Sequence, residues 1–369
     1  MRICVDATSL LLRSAGVKNY VYHWMLALQR EAKEHVITAY PLLGEVGALN
    51  HESSVLSSWQ TLPRLALLHI MNVRLNPGLD YLMRDVDVFH ASNQIRNPPK
   101  RTRLTGTLYD MTCLLMPQNH TSGNVRAEQN FAEKVLTRAH GLIAISQSTK
   151  NDAVRLLRLD PERISVIYPG VPQSFFDVTR GEVAAASAKY RLDKPYILFV
   201  GTVEPRKNLD ALLDAYEQLP VSIRSEFDLV TVGPTGWAAG STVHRLSSGM
   251  AGLRPLGYIP EADLPGITGG ATAFVYPSLY EGFGFPVAQS MAAGVPVITS
   301  NVSSLPEVAG DAAILIDPLS ASELREALVR LLTSPTLQKR LTAAGLQTAK
   351  EYTWQVAARK SAEFFDRLP

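Results

Sequence analysis

Short apolar runs rich in β-branched residues recur along the chain, and between them apolar positions return every three or four residues, the spacing of helices that bury one face. In the first half the runs at 3–5, 36–40, 86–90, 104–108, 142–145 and 164–168 predict strands. In the second half those at 196–200, 228–232, 253–256, 273–276, 295–299 and 313–316 do the same. The runs are continuously apolar rather than alternating, which marks strands covered on both faces and therefore parallel sheets flanked by helices. The expectation is an α/β chain of two doubly wound, Rossmann-like domains, at 1–172 and 194–352. Tyr168-Pro169-Gly170-Val171-Pro172 interrupts the pattern, and polar residues 173–193 read as the linker. Residues 353–369 read as an amphipathic helix, with Trp354, Ala357, Ala358, Ser361, Phe365 and Leu368 on one face.

Composition narrows the class. The 369 residues, 46% hydrophobic and 19% charged, suit a globular protein of two domains. No segment has the length and apolarity of a membrane span, and the N-terminal residues enter a strand pattern directly, without a signal-peptide profile, so a cytoplasmic location is expected. Cys4 and Cys113 lack metal-ligand spacing and read as reduced packing residues. Charge is uneven: residues 1–170 hold 19 basic and 14 acidic side chains, the remainder 17 and 20. Arg64, Arg74, Arg84, Arg96, Lys100, Arg101 and Arg103 concentrate in the first domain, as a solvated face or as a surface for an anionic lipid or pyrophosphate-linked partner. No nucleic-acid motif accompanies them, and nucleic acid is not an expected partner. The apolar, basic stretch 62–75 reads as an internal helix, with a membrane-seating helix as the alternative.

Ligands of such sheets bind at the carboxyl ends of strands, and two facing sheets would enclose a cleft. Five places there carry candidate chemistry. The strand at 196–200 runs into Gly201-Thr202-Val203-Glu204-Pro205-Arg206-Lys207-Asn208 and then a helix; an arginine fork and a lysine point charge beside a helix N-terminus suit a diphosphate. The strand at 273–276 leads into Glu281-Gly282-Phe283-Gly284 and another helix, placing a carboxylate suited to hydroxyls beside glycine-freed amides. In the first domain, Gly16 and Val17 follow the first strand, where a glycine permits close approach to a phosphate. Tyr109 and Asp110 follow the fourth, and His90 ends the third, open to a structural role or a sugar contact.

The stretch from Pro277 to Asp311 resembles the signature of the family 4 retaining glycosyltransferases of GT-B fold: a glutamate, a Gly-Phe-Gly turn, and a second acidic position eight residues on. Here the first acid is Glu281 and the second position is Gln289. The resemblance covers nearly the whole chain and is strongest over 196–318. It implies two Rossmann-like domains facing across a cleft, with the last helix returning to the first domain. It implies a nucleotide diphosphate sugar as donor, with Arg206 and Lys207 at the diphosphate, Glu281, Gly282, Phe283 and Gly284 at the sugar, Gln289 at the ribose, and Tyr258 and Ile259 at the base. Gly16, Val17 and Thr202 join them as donor contacts. Arg206, Lys207, Glu281 and Asp110 form the expected catalytic set, and His90 and Tyr109 the acceptor or sugar contacts. Many members carry His-Asp where this chain has Tyr109-Asp110, and an amide at Gln289 brings no charge to a ribose diol.

The resemblance further implies transfer of a hexose with retention, no divalent metal and no cofactor. The Glu-Pro-Arg-Lys-Asn spelling is similar to that of mannosyltransferases of surface polysaccharide synthesis, which favours GDP-mannose, with UDP-sugars next, and a glycan or polyprenyl-pyrophosphate-linked acceptor at the inner membrane face. Asp85-Val86-Asp87 matches an Asp-x-Asp pattern but opens a buried strand, so no metal is expected there. Two other readings stand beside this one: a non-catalytic sugar-nucleotide-binding subunit, and a sugar-phosphate epimerase, for which no convincing acid and base pair is visible.

Overall fold

The computed structural model describes residues 1–12, 16–41, 47, 49, 53–73, 77–236 and 240–369; Arg74, Leu75 and the three residues before Gly16 lie outside them. The chain forms two compact units, Met1–Gly170 with Trp354–Pro369, and Val171–Thr353.

Unit 1 holds six strands, β1 (Arg2–Asp6), β2 (Val36–Tyr40), β3 (Val88–Ala91), β4 (Arg103–Leu108), β5 (Gly141–Ala144) and β6 (Ile164–Val166), in the order β2-β1-β3-β4-β5-β6. Unit 2 holds β7 (Tyr196–Val200), β8 (Asp228–Val232), β9 (Leu253–Gly257), β10 (Ala273–Tyr276), β11 (Val297–Ser300) and β12 (Ala313–Ile316), in the order β12-β11-β10-β7-β8-β9. Every pairing is parallel. All twelve predicted strands are present. Strand order reverses direction between β1 and β3 in unit 1 and between β7 and β10 in unit 2. At such a switch point the two following connections leave to opposite faces, and a crevice opens at the carboxyl edge.

The helices that bear on the sites are α1 (Gly16–Glu31), α2 (Ser58–Met71), α3 (Ser122–Lys134), α4 (Arg180–Tyr190), α5 (Leu209–Glu217), α6 (Leu264–Gly269), α7 (Phe285–Ala292) and α8 (Trp354–Asp366). The last helix belongs to unit 1, packed on α1, where Trp24 Nε1 donates to Ser361 Oγ at 2.9 Å.

Two expectations are corrected. Residues 173–193 are not a free linker: they include a short helix, Gln173–Phe176, and α4, and both belong to unit 2. Thr179 and Glu182 start α4 as a reciprocal capping box, which the polar composition concealed. Glycines of α6 then let α4 settle on it, since a Cβ at Gly266 would stand 2.8 Å from Glu182 O. Nor is α2 internal. Thr61 is its only fully buried residue, and Trp59, Leu62 and Ile70 are exposed. Among the described residues no helix is long and apolar enough to cross a membrane.

Candidate active site

The loops after β7 and β10, on either side of the unit 2 switch point, are tied together by side chains of both. After β7, Pro205–Lys207 makes one tight turn, and Asn208 adopts a left-handed conformation (φ 55°) that turns the chain into α5. The Asn208 amide holds that turn by donating to the carbonyls of Pro277 and Pro318 at 3.1 and 2.7 Å. After β10, Gly284 sits at φ 106° as the N-cap of α7, and a Cβ there would come within 2.8 Å of Leu305 Cδ2. Ser304 Oγ donates to the carbonyls of Glu281 and Phe283, and Glu281 N donates to Ser303 Oγ at 2.9 Å, so the glycine turn is fixed on both sides.

Glu281 is the centre of this arrangement. Its Oε1 accepts from Lys207 Nζ at 2.7 Å and Ser278 Oγ at 2.6 Å, and its Oε2 lies 3.0 Å from Arg206 Nη1. Arg206 also donates to Tyr280 O and to Glu204 Oε1, both at 2.7 Å, while Lys207 donates to Tyr276 Oη at 2.7 Å. Burial pushes the Glu281 carboxyl up, but the Arg206 and Lys207 charges and the hydrogen bonds from Lys207 and Ser278 outweigh it and hold the group at about 2. Burial lowers the Lys207 ammonium, against the pull of Glu281. Two cations and two carboxylates thus form a neutral, nearly dry cluster at the mouth of the switch point. An incoming dianion can draw on Lys207 and Arg206 there, releasing Glu281 to accept hydroxyls.

The structure therefore brings Arg206, Lys207 and Glu281 into one site, with Gly282, Phe283 and Gly284 in the turn beside it. Phe283 is buried against Tyr352 and Phe285, so its part is packing of the turn. Thr202 is half-buried in the β7 loop, and Gln289 is half-buried on α7. Tyr258 is 42% exposed after Gly257, which ends β9 at φ 67°, and Ile259 beside it is buried.

Unit 1 has its own carboxyl-edge cluster. Asp6, at the end of β1, accepts from Thr8 N and Oγ1 and, across the switch point, from Ser92 N at 3.2 Å and Ser92 Oγ. Burial raises the Asp6 carboxyl. Asp110 Oδ1 accepts from Thr112 N at 2.9 Å and Thr112 Oγ1 at 2.6 Å, a turn that fixes its carboxylate after β4. Tyr109 packs edge-on to Tyr20 with ring centroids 5.2 Å apart, and burial raises its phenol well above the ordinary value. Gly16 opens α1 in open space, with nothing within 4 Å of a Cβ there, and Val17 is half-buried beside it.

Sequence reasoning missed Glu128. It lies on α3, whose polar pattern gives no sign of a site. Yet burial, and then the Asp110 charge, raise its carboxyl to about 7 against a hydrogen bond from Asn93. The only available signal was its place on a helix after Asp110. His90 is engaged within unit 1: its ring nitrogens lie 3.0 Å from Thr105 Oγ1 and 2.8 Å from Thr107 Oγ1, and the buried ring packs against Trp24 and Phe365. Asp87 lies at the opposite, amino edge of the sheet, where its Oδ2 accepts from Arg2 N at 2.7 Å.

Comparison with known proteins follows the two units. A family model described as glycosyl transferases group 1 matches residues 183–348, and one described as glycosyltransferase family 4 matches 14–175. The O-antigen chain mannosyltransferase B of Escherichia coli is 32% identical over 271 residues, 73% of this chain and 71% of that protein. The serotype-specific mannosyltransferase WbdA of Escherichia coli is 29% identical over 63% of this chain but only 29% of its own length. A sucrose-phosphate synthase from Thermosynechococcus elongatus superimposes with a TM-score of 0.75 at 18% identity, covering 100% of this chain and 99% of its own. Anabaena HepE, solved with UDP and glucose, gives 0.73 at 16% identity, covering 100% and 99%. At these identities the structural likeness is one of fold.

Proposed function

This chain belongs to the family 4, group 1 glycosyltransferases and has their two-domain α/β GT-B fold, and from that premise we propose that it transfers a hexose, mannose before others, from a nucleotide diphosphate sugar to a growing glycan or a polyprenyl-pyrophosphate-linked acceptor, with retention of anomeric configuration. The product belongs to a cell-surface polysaccharide, made on the cytoplasmic side. The observation that carries this reading is the Glu281–Lys207–Arg206 cluster at the unit 2 switch point. GDP-mannose is favoured because the 32% identical relative is a mannosyltransferase. UDP-sugars stand next, since the neighbour HepE was solved with UDP.

In this mechanism Lys207 and Arg206 take the diphosphate and stabilise it as it departs, while Glu281 and the amides of Gly282 and Gly284 hold the sugar hydroxyls. Thr202, and Gly16 and Val17 at the start of α1, are further donor contacts. Gln289 serves the ribose, and Tyr258 with Ile259 the base. Charge on the departing diphosphate is met by side chains, so neither a divalent metal nor a cofactor is required. On the acceptor side Asp110 and Tyr109 contact the acceptor hydroxyls, with Glu128 as a second carboxyl near Asp110 able to hold a proton at neutral pH.

The test is transfer from GDP-mannose and UDP-sugars to a synthetic lipid-linked acceptor, with the product anomer read by NMR and the reaction repeated in chelator. An α-linked product from an α-configured donor, unaffected by chelator, supports the proposal. An inverted product, or binding of donor without transfer or hydrolysis, overturns it; the latter outcome identifies a binding subunit.

A further inference from the structure

The exposed side of α2 is apolar apart from Ser58 and His69. Trp59, Leu62, Pro63, Ala66, His69 and Ile70 are all exposed, and at 3.6 residues per turn they fall within an arc of about 120°. Trp59 is 75% exposed, Leu62 67% and Ile70 53%. The inward side of the same helix is accounted for, because Leu68 and Met71 pack against the unit 1 core. An apolar stripe turned outward on a helix already anchored by its other face needs a partner surface.

Charge selects which surface. From Ser53 to Leu79 the sequence contains no carboxylate, and from Val88 to Tyr109 it contains none either, while that second stretch carries Arg96, Lys100, Arg101 and Arg103. The two stretches meet in the fold. Asn72, at the end of α2, accepts from Arg96 N at 2.8 Å and donates to Gln94 O at 2.9 Å, which places exposed Arg96 beside the end of the stripe. Asp80 lies beside the second stretch, where its Oδ1 accepts from Lys100 N at 2.6 Å, so the cation set at the stripe itself is Arg96. A tryptophan at one end, aliphatic residues between, no acid on the helix and an exposed arginine at its end match the chemistry of an anionic bilayer surface, where apolar side chains enter the headgroup boundary and guanidinium groups meet phosphates. A partner protein that buried this stripe would need its own complementary apolar face.

We propose that α2 is a membrane-seating helix, docking unit 1 on an anionic lipid surface through Trp59, Leu62 and Ile70, with Arg96 at the phosphates. The donor cluster of the proposed function lies in unit 2, so docking and donor binding are separable by measurement.

The experiment is co-sedimentation of the protein with vesicles of phosphatidylglycerol and phosphatidylcholine, and with phosphatidylcholine alone. The expected result is binding to the anionic vesicles, at least tenfold weaker in a Trp59→Ser, Leu62→Ser, Ile70→Ser variant and reduced by Arg96→Glu or added salt. Thermal melting of both variants should match the parent, since every altered side chain is exposed, and donor binding in solution should be unchanged in both. Equal binding by parent and triple variant overturns the proposal. So does a dimer of the parent in sedimentation velocity that the triple variant loses without any vesicle binding, because the stripe would then belong to a second copy of the chain. Absence of donor binding by the parent, with its vesicle binding intact, would instead count against the enzymatic reading and leave the docking proposal standing.

Discussion

Lys207 Nζ lies 2.7 Å from Glu281 Oε1, joining two loops whose residues stand 74 positions apart in the chain. The contact closes the carboxyl edge of unit 2 between β7 and β10. Removing one member of a buried ion pair typically costs about 3–5 kcal/mol, because the other charge is left uncompensated. Arg206 still faces Glu281 in Lys207→Ala, so a loss at the lower end, about 3 kcal/mol, is expected in denaturant unfolding. Turnover should fall by about a hundredfold or more if Lys207 also stabilises the leaving group. Full activity in a folded Lys207→Ala protein would remove it from the mechanism.

Acid should weaken unit 2 through Glu281. Its ordinary value is 4.5 and the folded one about 2, so its contribution is complete above the first and is lost as pH falls through the second. That interval corresponds to about 3 kcal/mol. Stability measured from pH 6 to pH 2 should therefore drop more steeply in the parent than in Glu281→Gln. Parallel curves would mean that the carboxylate is not held by Lys207 and Arg206.

Glu128 carries the opposite sign. Its folded value of about 7 lies above the ordinary 4.5, so the stability that the protonated form contributes is present below 4.5 and lost as pH rises through 7. Glu128→Gln should flatten that loss. If the carboxyl serves the acceptor, the same variant should also abolish an inflection near pH 7 in kcat/KM measured with acceptor varied, while leaving donor affinity unaltered. A parent profile without such an inflection would return Glu128 to a purely structural role.

The fold was legible because buried parallel strands are written as continuous apolar runs, and all twelve appear where those runs lie. The family signature was legible for the same reason that its geometry is strict: Gly284 needs a positive φ, and Arg206, Lys207 and Glu281 stand at fixed places after strands. What could not be read was pairing across the fold. Arg206 was expected at a diphosphate, with no sign in the sequence that its guanidinium bridges Glu204, Tyr280 and Glu281. Glu128 carried no mark of a site, and His90 gave no hint of two threonine partners on β4. α2 misled through composition: apolar residues normally mean burial, and here half the helix faces outward.

Gly284→Ala tests the turn itself. A side chain at φ 106° is strained, and its Cβ would meet Leu305 Cδ2 at 2.8 Å. A loss of about 1–3 kcal/mol is expected, with reduced donor affinity as the α7 N-terminus shifts. Gly16→Ala, in open space, should leave stability within about 0.5 kcal/mol of the parent.

Ser361→Ala tests the seat of the last helix. Trp24 Nε1 donates to Ser361 Oγ inside unit 1, and without that oxygen a buried N–H loses its acceptor at a cost of about 1–3 kcal/mol. Hydrogen exchange should then accelerate in α1 and α8 and remain unchanged across the strands of unit 2. Acceleration confined to unit 2 would contradict the packing of α8 on α1.

The most direct test of the central claim is calorimetric titration of the protein with GDP, UDP and ADP and their hexose conjugates, beside Lys207→Ala. Micromolar binding of one nucleotide sugar, lost in the variant while its fold persists, is the predicted result. Absence of binding by every nucleotide, or binding that Lys207→Ala leaves untouched, would contradict a donor site built on Lys207, Arg206 and Glu281.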